Sequence, residues 1–271
     1  MPLASSAQGG LYVESVERTS PWRPPRDAIV FHHGIGASAG LWADWYPELV
    51  DAHRLISFDM RGCGRSAIPP PEFKWSLDLL VEDLFAVADA AGVERFHLVG
   101  ESIGGTVALA AALARPHRIA TLTVSNGAHL GTSIQRVEIW RRQLDGEGGV
   151  KAWSDTFMRD RFHDDALSPE RRAWFAAQQE TWPRDSILNG LGVLIGTDLS
   201  ARLKEIGCAT LLLHPDGSPF IPVPVMAELH RLLPGAELNV IGRSRHGLPF
   251  SHARQCARLL RGFLDRHVVG Q

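Results

Sequence analysis

Gly100-Glu101-Ser102-Ile103-Gly104-Gly105 sets a serine between glycines at the spacing G-x-S-x-G. A serine hydroxyl is a weak nucleophile until a neighbouring base takes its proton. The glycine spacing serves a steric purpose. Where a strand turns sharply into a helix, the residues two before and two after the apex must be tiny for the backbone to pass. Such a turn lifts the hydroxyl clear of the sheet. The unbonded N–H groups at the head of the following helix then face any negative charge developing on a carbonyl oxygen under attack. A glycine-rich turn with an incidental serine is the blander alternative, and the partners of the serine decide between them.

The chain has 12 histidines, so position must select the base. His246, in Arg243-Ser244-Arg245-His246-Gly247, follows the last apolar run and precedes the last helical pattern. His252 is its rival, but it belongs to that helical pattern and reads as a surface residue. An acid is expected to hold the imidazole in one tautomer. The apolar run 209–213 leads into His214-Pro215-Asp216-Gly217-Ser218-Pro219, where Asp216 is the single acid. Asp216 is therefore expected to be that acid, and the order Ser102, Asp216, His246 fits. Its competing use is to cap a Pro-Asp-Gly turn, and Asn126 is a neutral substitute from the preceding strand end.

Acyl transfer also needs preorganised donors for an oxyanion. The backbone N–H of Ile103 is one candidate, and the loop His32-His33-Gly34-Ile35-Gly36 offers the N–H of Ile35 as the second. The same loop fails as a dinucleotide fingerprint, because the third glycine would fall at position 39, which is Ala39. Adjacent strand histidines point to opposite faces, so His32 and His33 make a poor metal pair. No HExxH spacing is present, and no metal or cofactor is expected. Asp59-Met60-Arg61-Gly62-Cys63-Gly64-Arg65-Ser66 reads as a structural loop, with Asp59 accepting loop N–H groups. His163-Asp164-Asp165 reads as a solvated acidic turn.

These residues must be positioned by regular elements. Apolar, β-branched runs at 11–16, 28–32, 54–58, 96–99, 120–124, 209–213 and 238–241 each end at a turn. Trp22-Arg23-Pro24-Pro25 breaks the chain after the first. Helical patterns occupy 76–91, 103–114, 222–233 and 252–267; in the first, Leu77, Leu80, Leu84 and Val87 share a face. Alternating strands and helices predict an α/β architecture with a mostly parallel sheet. The alternation stops between 131 and 206, where the patterns at 139–144, 150–158 and 171–179 are helical and tryptophans stand at 140, 153, 174 and 182. The reading is a core of 1–130 and 207–271 interrupted by a helical cap, 131–206, whose tryptophans pack it to the core, with one or two lining a pocket.

The chain has 271 residues, 45% hydrophobic and 21% charged, with a formal net charge of -2. Such a balance gives no reason to expect nucleic acid or an acidic membrane surface as partner. Three widely spaced cysteines suit a reducing compartment rather than a disulfide framework. The start, MPLASSAQGG, lacks the pattern of a secretory signal. The longest apolar run, about 107–114, is far short of the ~20 residues of a membrane helix. The expectation is a soluble, cytoplasmic protein acting on a small molecule.

Three segments together, FHHGIGAS, FDMRGCGRS and LVGESIGG, make the chain resemble the α/β-hydrolase superfamily along nearly its whole length. The helical insert and SNGAHLGT are similar to enol-lactonases of the β-ketoadipate pathway. The resemblance implies an eight-stranded, mostly parallel sheet under a helical cap, with Ser102 and His246 catalytic and Ile35 and Ile103 as N–H donors. It also exposes a departure. Relatives often read H-G-x-x-D-P after the strand that carries the acid, whereas here Ser218 precedes Pro219 and Asp216 lies two positions earlier. A serine at 102 argues against the dehalogenases and epoxide hydrolases of this superfamily, which attack with a carboxylate.

Three functions follow as hypotheses. The first is hydrolysis of an ester or lactone of a small, carboxylated metabolite, with activity falling below about pH 6.5 as an ordinary imidazole gains its proton. The second is carbon–carbon bond hydrolysis of aromatic ring-cleavage products, with Arg136, Arg141 and Arg142 as candidate carboxylate binders. The third is a ligand-binding protein that keeps the pocket without turnover.

Overall fold

The computed structural model describes residues 3–6, 9–19, 21–22 and 26–267. Parts of the first ten residues, and 23–25 of the expected break, lie outside them. Among the described residues there are eight strands: β1 Leu3–Ser6, β2 Gly9–Val16, β3 Ala28–His32, β4 Leu55–Phe58, β5 Phe96–Glu101, β6 Ile119–Ser125, β7 Ala209–Pro215 and β8 Glu237–Ile241. They form one sheet in the order β1-β2-β4-β3-β5-β6-β7-β8. β1 and β2 run antiparallel to their neighbours, and β3 to β8 pair in parallel.

Helices are α1 Tyr46–Leu49, α2 Leu77–Ala90, α3 Ile103–Ala114, α4 Val137–Asp145, α5 Gly149–Arg161, α6 Pro169–Glu180, α7 Arg184–Ile195, α8 Val223–Leu232, α9 Leu248–Ser251 and α10 Ala253–His267. Ser76 starts α2 where the sequence places it, its hydroxyl accepting the Leu79 N–H at 3.1 Å. His252, expected within the last helix, lies between α9 and α10.

Every residue of β3, β4 and β5 is buried. This is the pattern of parallel strands covered on both faces. The pleat sends alternate side chains to different layers. Val30 packs with Ile56, Leu98 and α3 on one face, while Ile29 and Phe31 pack with Leu55, Val99 and α10 on the other. α3 is buried from Ile103 to Leu113, which explains its Ala- and Leu-rich composition: it has no wet side.

Four helices, α4 to α7, lie between β6 and β7. Three cover the expected helical patterns; α7 is the addition. Its two glycines, Gly190 and Gly192, weaken the pattern in sequence, but at Gly190 a side chain would press on Ile35. Trp140, Trp153 and Trp182 are buried, whereas Trp174 stays 38% exposed. The Trp182 indole donates to the Ala37 carbonyl at 2.9 Å, tying the insert to the loop after β3.

Candidate active site

The backbone at the end of β5 is forced into an unusual conformation. Ser102 has φ 56°, a value that costs energy in a non-glycine residue and marks over-determined turns. Glycine is required on both sides. A Cβ at Gly100 would strike the Gly104 carbonyl, and one at Gly104 would strike the His32 carbonyl. Ser102 sits directly before α3, and the N–H of Ile103, the first helical residue, has no acceptor within the helix.

The loop after β3 passes against this turn. A Cβ at Gly34 would meet the Glu101 carboxylate and Ser102 Cβ, so only glycine allows the approach. The two histidines of the loop act as braces. His32 Nδ1 pairs with its neighbour's carbonyl at 2.9 Å, and His33 Nδ1 with the Gly34 carbonyl at 2.8 Å. His33 Nε2 accepts the Met60 N–H at 2.9 Å. Burial lowers both, His32 to about 3, so they are neutral fixtures. Asp59 serves as expected of a loop acid, accepting the N–H of Ala39 at 2.8 Å and of Arg65 at 2.9 Å. Burial raises the Cys63 thiol well above its ordinary range and leaves it inert.

His246 arrives from the loop after β8. Its Nε2 lies 3.2 Å from Ser102 Oγ. Asn126, also at positive φ, donates from Nδ2 to the His246 carbonyl at 2.7 Å. It therefore holds the backbone of the histidine and does not replace an acid on the ring. The Phe220 ring meets the imidazole edge-to-face at 4.9 Å and continues into Phe157 and Trp140 of the inserted helices. His252 pairs with Ser251 at 2.9 Å instead.

The structure corrects the assignment of Asp216. Its carboxylate accepts the N–H of Arg243 at 2.9 Å and of Ser244 at 3.0 Å, and the residue is exposed. Two backbone amides satisfy it where it stands, so it binds the loop after β8 to the end of β7. What meets His246 Nδ1 is the Ser218 hydroxyl, at 3.2 Å. Ser218 also accepts the Ile221 N–H at 3.2 Å. With that donor on its oxygen, Ser218 remains able to accept a proton held on Nδ1.

Two residues that the sequence did not single out complete the site. Glu101 precedes the serine and is 1% exposed; Arg161, at the end of α5, is 2% exposed. Arg161 Nη1 lies 3.8 Å from Glu101 Oε1, and Nη2 donates to the Ile35 carbonyl. Glu101 Oε1 is 3.9 Å from His246 Nε2. Burial pushes Glu101 up to about 7, against the pull of Arg161 and the Gly34 amide. Burial pushes His246 well below its ordinary value, and Arg161 and His214 add to this. An ordinary imidazole titration near 6.5 is therefore not what this histidine shows. The signal for Glu101 was an acid closing an apolar strand. Arg161 gave none, since one arginine near a helix end looks like any other.

The arginines expected to read a carboxylate lie elsewhere. Arg136 pairs with Asp160 at 2.6 Å, and Arg141 and Arg142 are exposed. Among the described residues no group of His, Cys, Asp and Glu side chains is arranged to hold a metal. No helix among them is long and apolar enough to cross a membrane.

The α/β hydrolase fold profile matches residues 27–201. A RutD protein of Klebsiella pneumoniae subsp. pneumoniae, provisionally named a carbamate hydrolase, is 30% identical over 251 residues, spanning 91% of this chain and 94% of its own length. A 2-hydroxymuconate semialdehyde hydrolase of a Pseudomonas species is 29% identical over 256 residues, 87% of this chain and 86% of that protein. The enol-lactonase of Burkholderia xenovorans LB400 has the same fold, with a TM-score of 0.86 at 20% identity over 97% of this chain and all of that one (100%).

Proposed function

Because the chain belongs to the α/β-hydrolase fold family, we propose that it is a serine hydrolase of a small ester or lactone, with Ser102 as nucleophile and His246 as general base. The observation that carries this reading is the 3.2 Å approach of His246 Nε2 to a serine held at φ 56° on the head of a helix. Ser102 Oγ attacks the carbonyl carbon while Nε2 takes its proton. The N–H groups of Ile35 and Ile103 receive the oxyanion. The same proton then passes from Nε2 to the leaving oxygen; a water deprotonated by His246 attacks the acyl carbon, the bond to Ser102 Oγ breaks, and the proton on Nε2 returns to Oγ. Ser218, rather than Asp216, keeps the Nδ1 side of the ring in register. Residues 131–206 act as the cap over this centre and set which acyl group fits.

Carbamates and ring-fission products belong in the substrate panel, since relatives carry names for both chemistries. The buried Arg161 is the cation that a carboxylated substrate would meet.

Treatment with a fluorophosphonate and mapping of the adduct by peptide mass tests the proposal. The expected outcome is one adduct, on Ser102, absent in Ser102→Ala, whose turnover of an aryl ester falls about 10⁶-fold. A folded wild-type protein that takes no label and turns over no ester, lactone, carbamate or ring-fission product overturns it. Ligand-induced thermal stabilisation without product would then favour a binding protein.

A further inference from the structure

A base that accepts a proton inside a protein acquires a charge that burial penalises. His246 is 3% exposed, so its imidazolium must be stabilised by what surrounds it. The groups facing it come from five elements. They are Glu101 from β5, Ser102 from the turn after it, Arg161 from α5, His214 from β7, and Ser218 and Phe220 from the loop after β7. Ser218, Ser102 and Phe220 are neutral, His214 is pushed by burial down to about 4, and Arg161 is positive. Glu101 alone of these six can carry negative charge.

The placement of Glu101 is hard to explain as packing. Its Oε2 is fully buried and makes no hydrogen bond of normal geometry, although the Gly34 amide pulls on the carboxylate, and such poorly satisfied oxygens are rare because each costs free energy. Its Oε1 lies between a cation and a cation-to-be, 3.8 Å from Arg161 Nη1 and 3.9 Å from His246 Nε2. A carboxylate serving Arg161 alone would turn both oxygens to the guanidinium in the two-pronged contact such pairs prefer.

Building on the serine-hydrolase reading, we propose that Glu101 is a positioning residue that opposes the charge of the His246 imidazolium from the nucleophile side, in place of an acid on Nδ1. Arg161 fixes the carboxylate and limits its pull on the resting ring. The proton taken from Ser102 stays on Nε2 until it passes to the leaving group; Glu101 neither gains nor loses one in the cycle. The consequence for pH has a definite sign. His246, driven well down by burial, Arg161 and His214, stays neutral and basic through mildly acidic pH. Glu101, pushed by burial up to about 7, is protonated as pH falls through that value and its charge disappears. The acid limb of the rate therefore belongs to the carboxylate.

The test uses Glu101→Gln, Glu101→Asp, Ser218→Asp and the Glu101→Gln/Ser218→Asp pair, assayed for aryl-ester turnover and fluorophosphonate labelling across pH. An opposite charge at this distance shifts an imidazole by one to three pKa units, so Glu101→Gln is expected to lower kcat on the order of 10²-fold with little change in KM. Its limb near neutral pH should vanish. Glu101→Asp should recover part of the rate and the limb. Ser218→Asp should restore about tenfold or more in the Glu101→Gln background and gain far less in wild type, because a carboxylate on Nδ1 takes over the lost task. Should Glu101→Gln leave Arg161 too exposed to repulsion to fold, Glu101→Gln/Arg161→Met removes both charges and carries the same test. Turnover within about threefold of wild type with an unmoved limb overturns the inference, as does an equal gain from Ser218→Asp in both backgrounds. These outcomes require a wild-type protein that labels at Ser102; a wild type without label sinks the hydrolase reading itself and this inference with it.

Discussion

The two nitrogens of His246 live in different surroundings. Nε2 faces a strained serine, a buried carboxylate and, behind it, a buried guanidinium. Nδ1 faces one neutral hydroxyl at 3.2 Å. In the usual arrangement the charge sits behind the ring, on an acid at Nδ1. Here the charge has moved to the front. On the proposed roles the ring is oriented by one group and its charge opposed by another, so the two tasks need not fall to one aspartate.

The front side should be the more sensitive to change. Gly34→Ala drives a methyl group into Glu101 and Ser102 Cβ, displacing both the carboxylate and the Ile35 donor. Removing one oxyanion donor alone costs about 10²–10³-fold in kcat, so a loss at least that large is expected in steady-state assays. A Gly34→Ala protein within tenfold of wild type would mean that the loop and the nucleophile move independently. Behind the ring, Ser218→Ala removes an acceptor without removing charge. A fall of about tenfold in kcat is expected, since a neutral hydrogen bond contributes about 1–1.5 kcal/mol. A loss as large as that of Glu101→Gln would erase the contrast between the two sides.

The smallest effect is expected farthest back. Asp216→Asn should leave kcat within about threefold, because its oxygens are engaged by the amides of Arg243 and Ser244. The melting temperature should drop by the equivalent of about 1 kcal/mol as charged acceptors become a single amide oxygen. A 10³-fold loss of turnover in this variant would restore Asp216 to the catalytic role read from the sequence.

That reading of Asp216 shows where sequence reasoning stops. Strands β2 to β8, the turn around Ser102 and the positions of His246 and the Ile35 loop were legible because steric rules and short apolar runs ending at turns write them into adjacent residues, whereas β1 gave no such run. The aspartates at two strand ends were not distinguishable in the same way. Asp59 and Asp216 both follow a strand and open a glycine-containing loop, and both prove to accept pairs of backbone N–H groups. Nearby amides bind a carboxylate before a distant imidazole can. The structure gives Asp216 neither use weighed for it: its carboxylate binds the amides of Arg243 and Ser244 in the loop after β8 and not those of its own Pro-Asp-Gly turn. Glu101 and Arg161 were illegible for a different reason. Their meaning lies in a contact between residues 60 positions apart, set by how α5 lies on the β5 turn. Helix α7 escaped notice because glycine at 190, unfavourable to a helix, is needed where the helix crosses Ile35 and Ile103.

The bond from Arg161 to the Ile35 carbonyl joins the last turn of α5 to the backbone proposed to present an oxyanion donor. Roof and hearth are therefore not separable parts. A lineage that exchanged the segment 131–206 for one with another pocket would also replace the strut under its own oxyanion loop. New specificity would arrive with a slackened turnover, unless the incoming segment brought a buried guanidinium to the same place. Selection on what this enzyme binds and selection on how fast it works meet at one side chain.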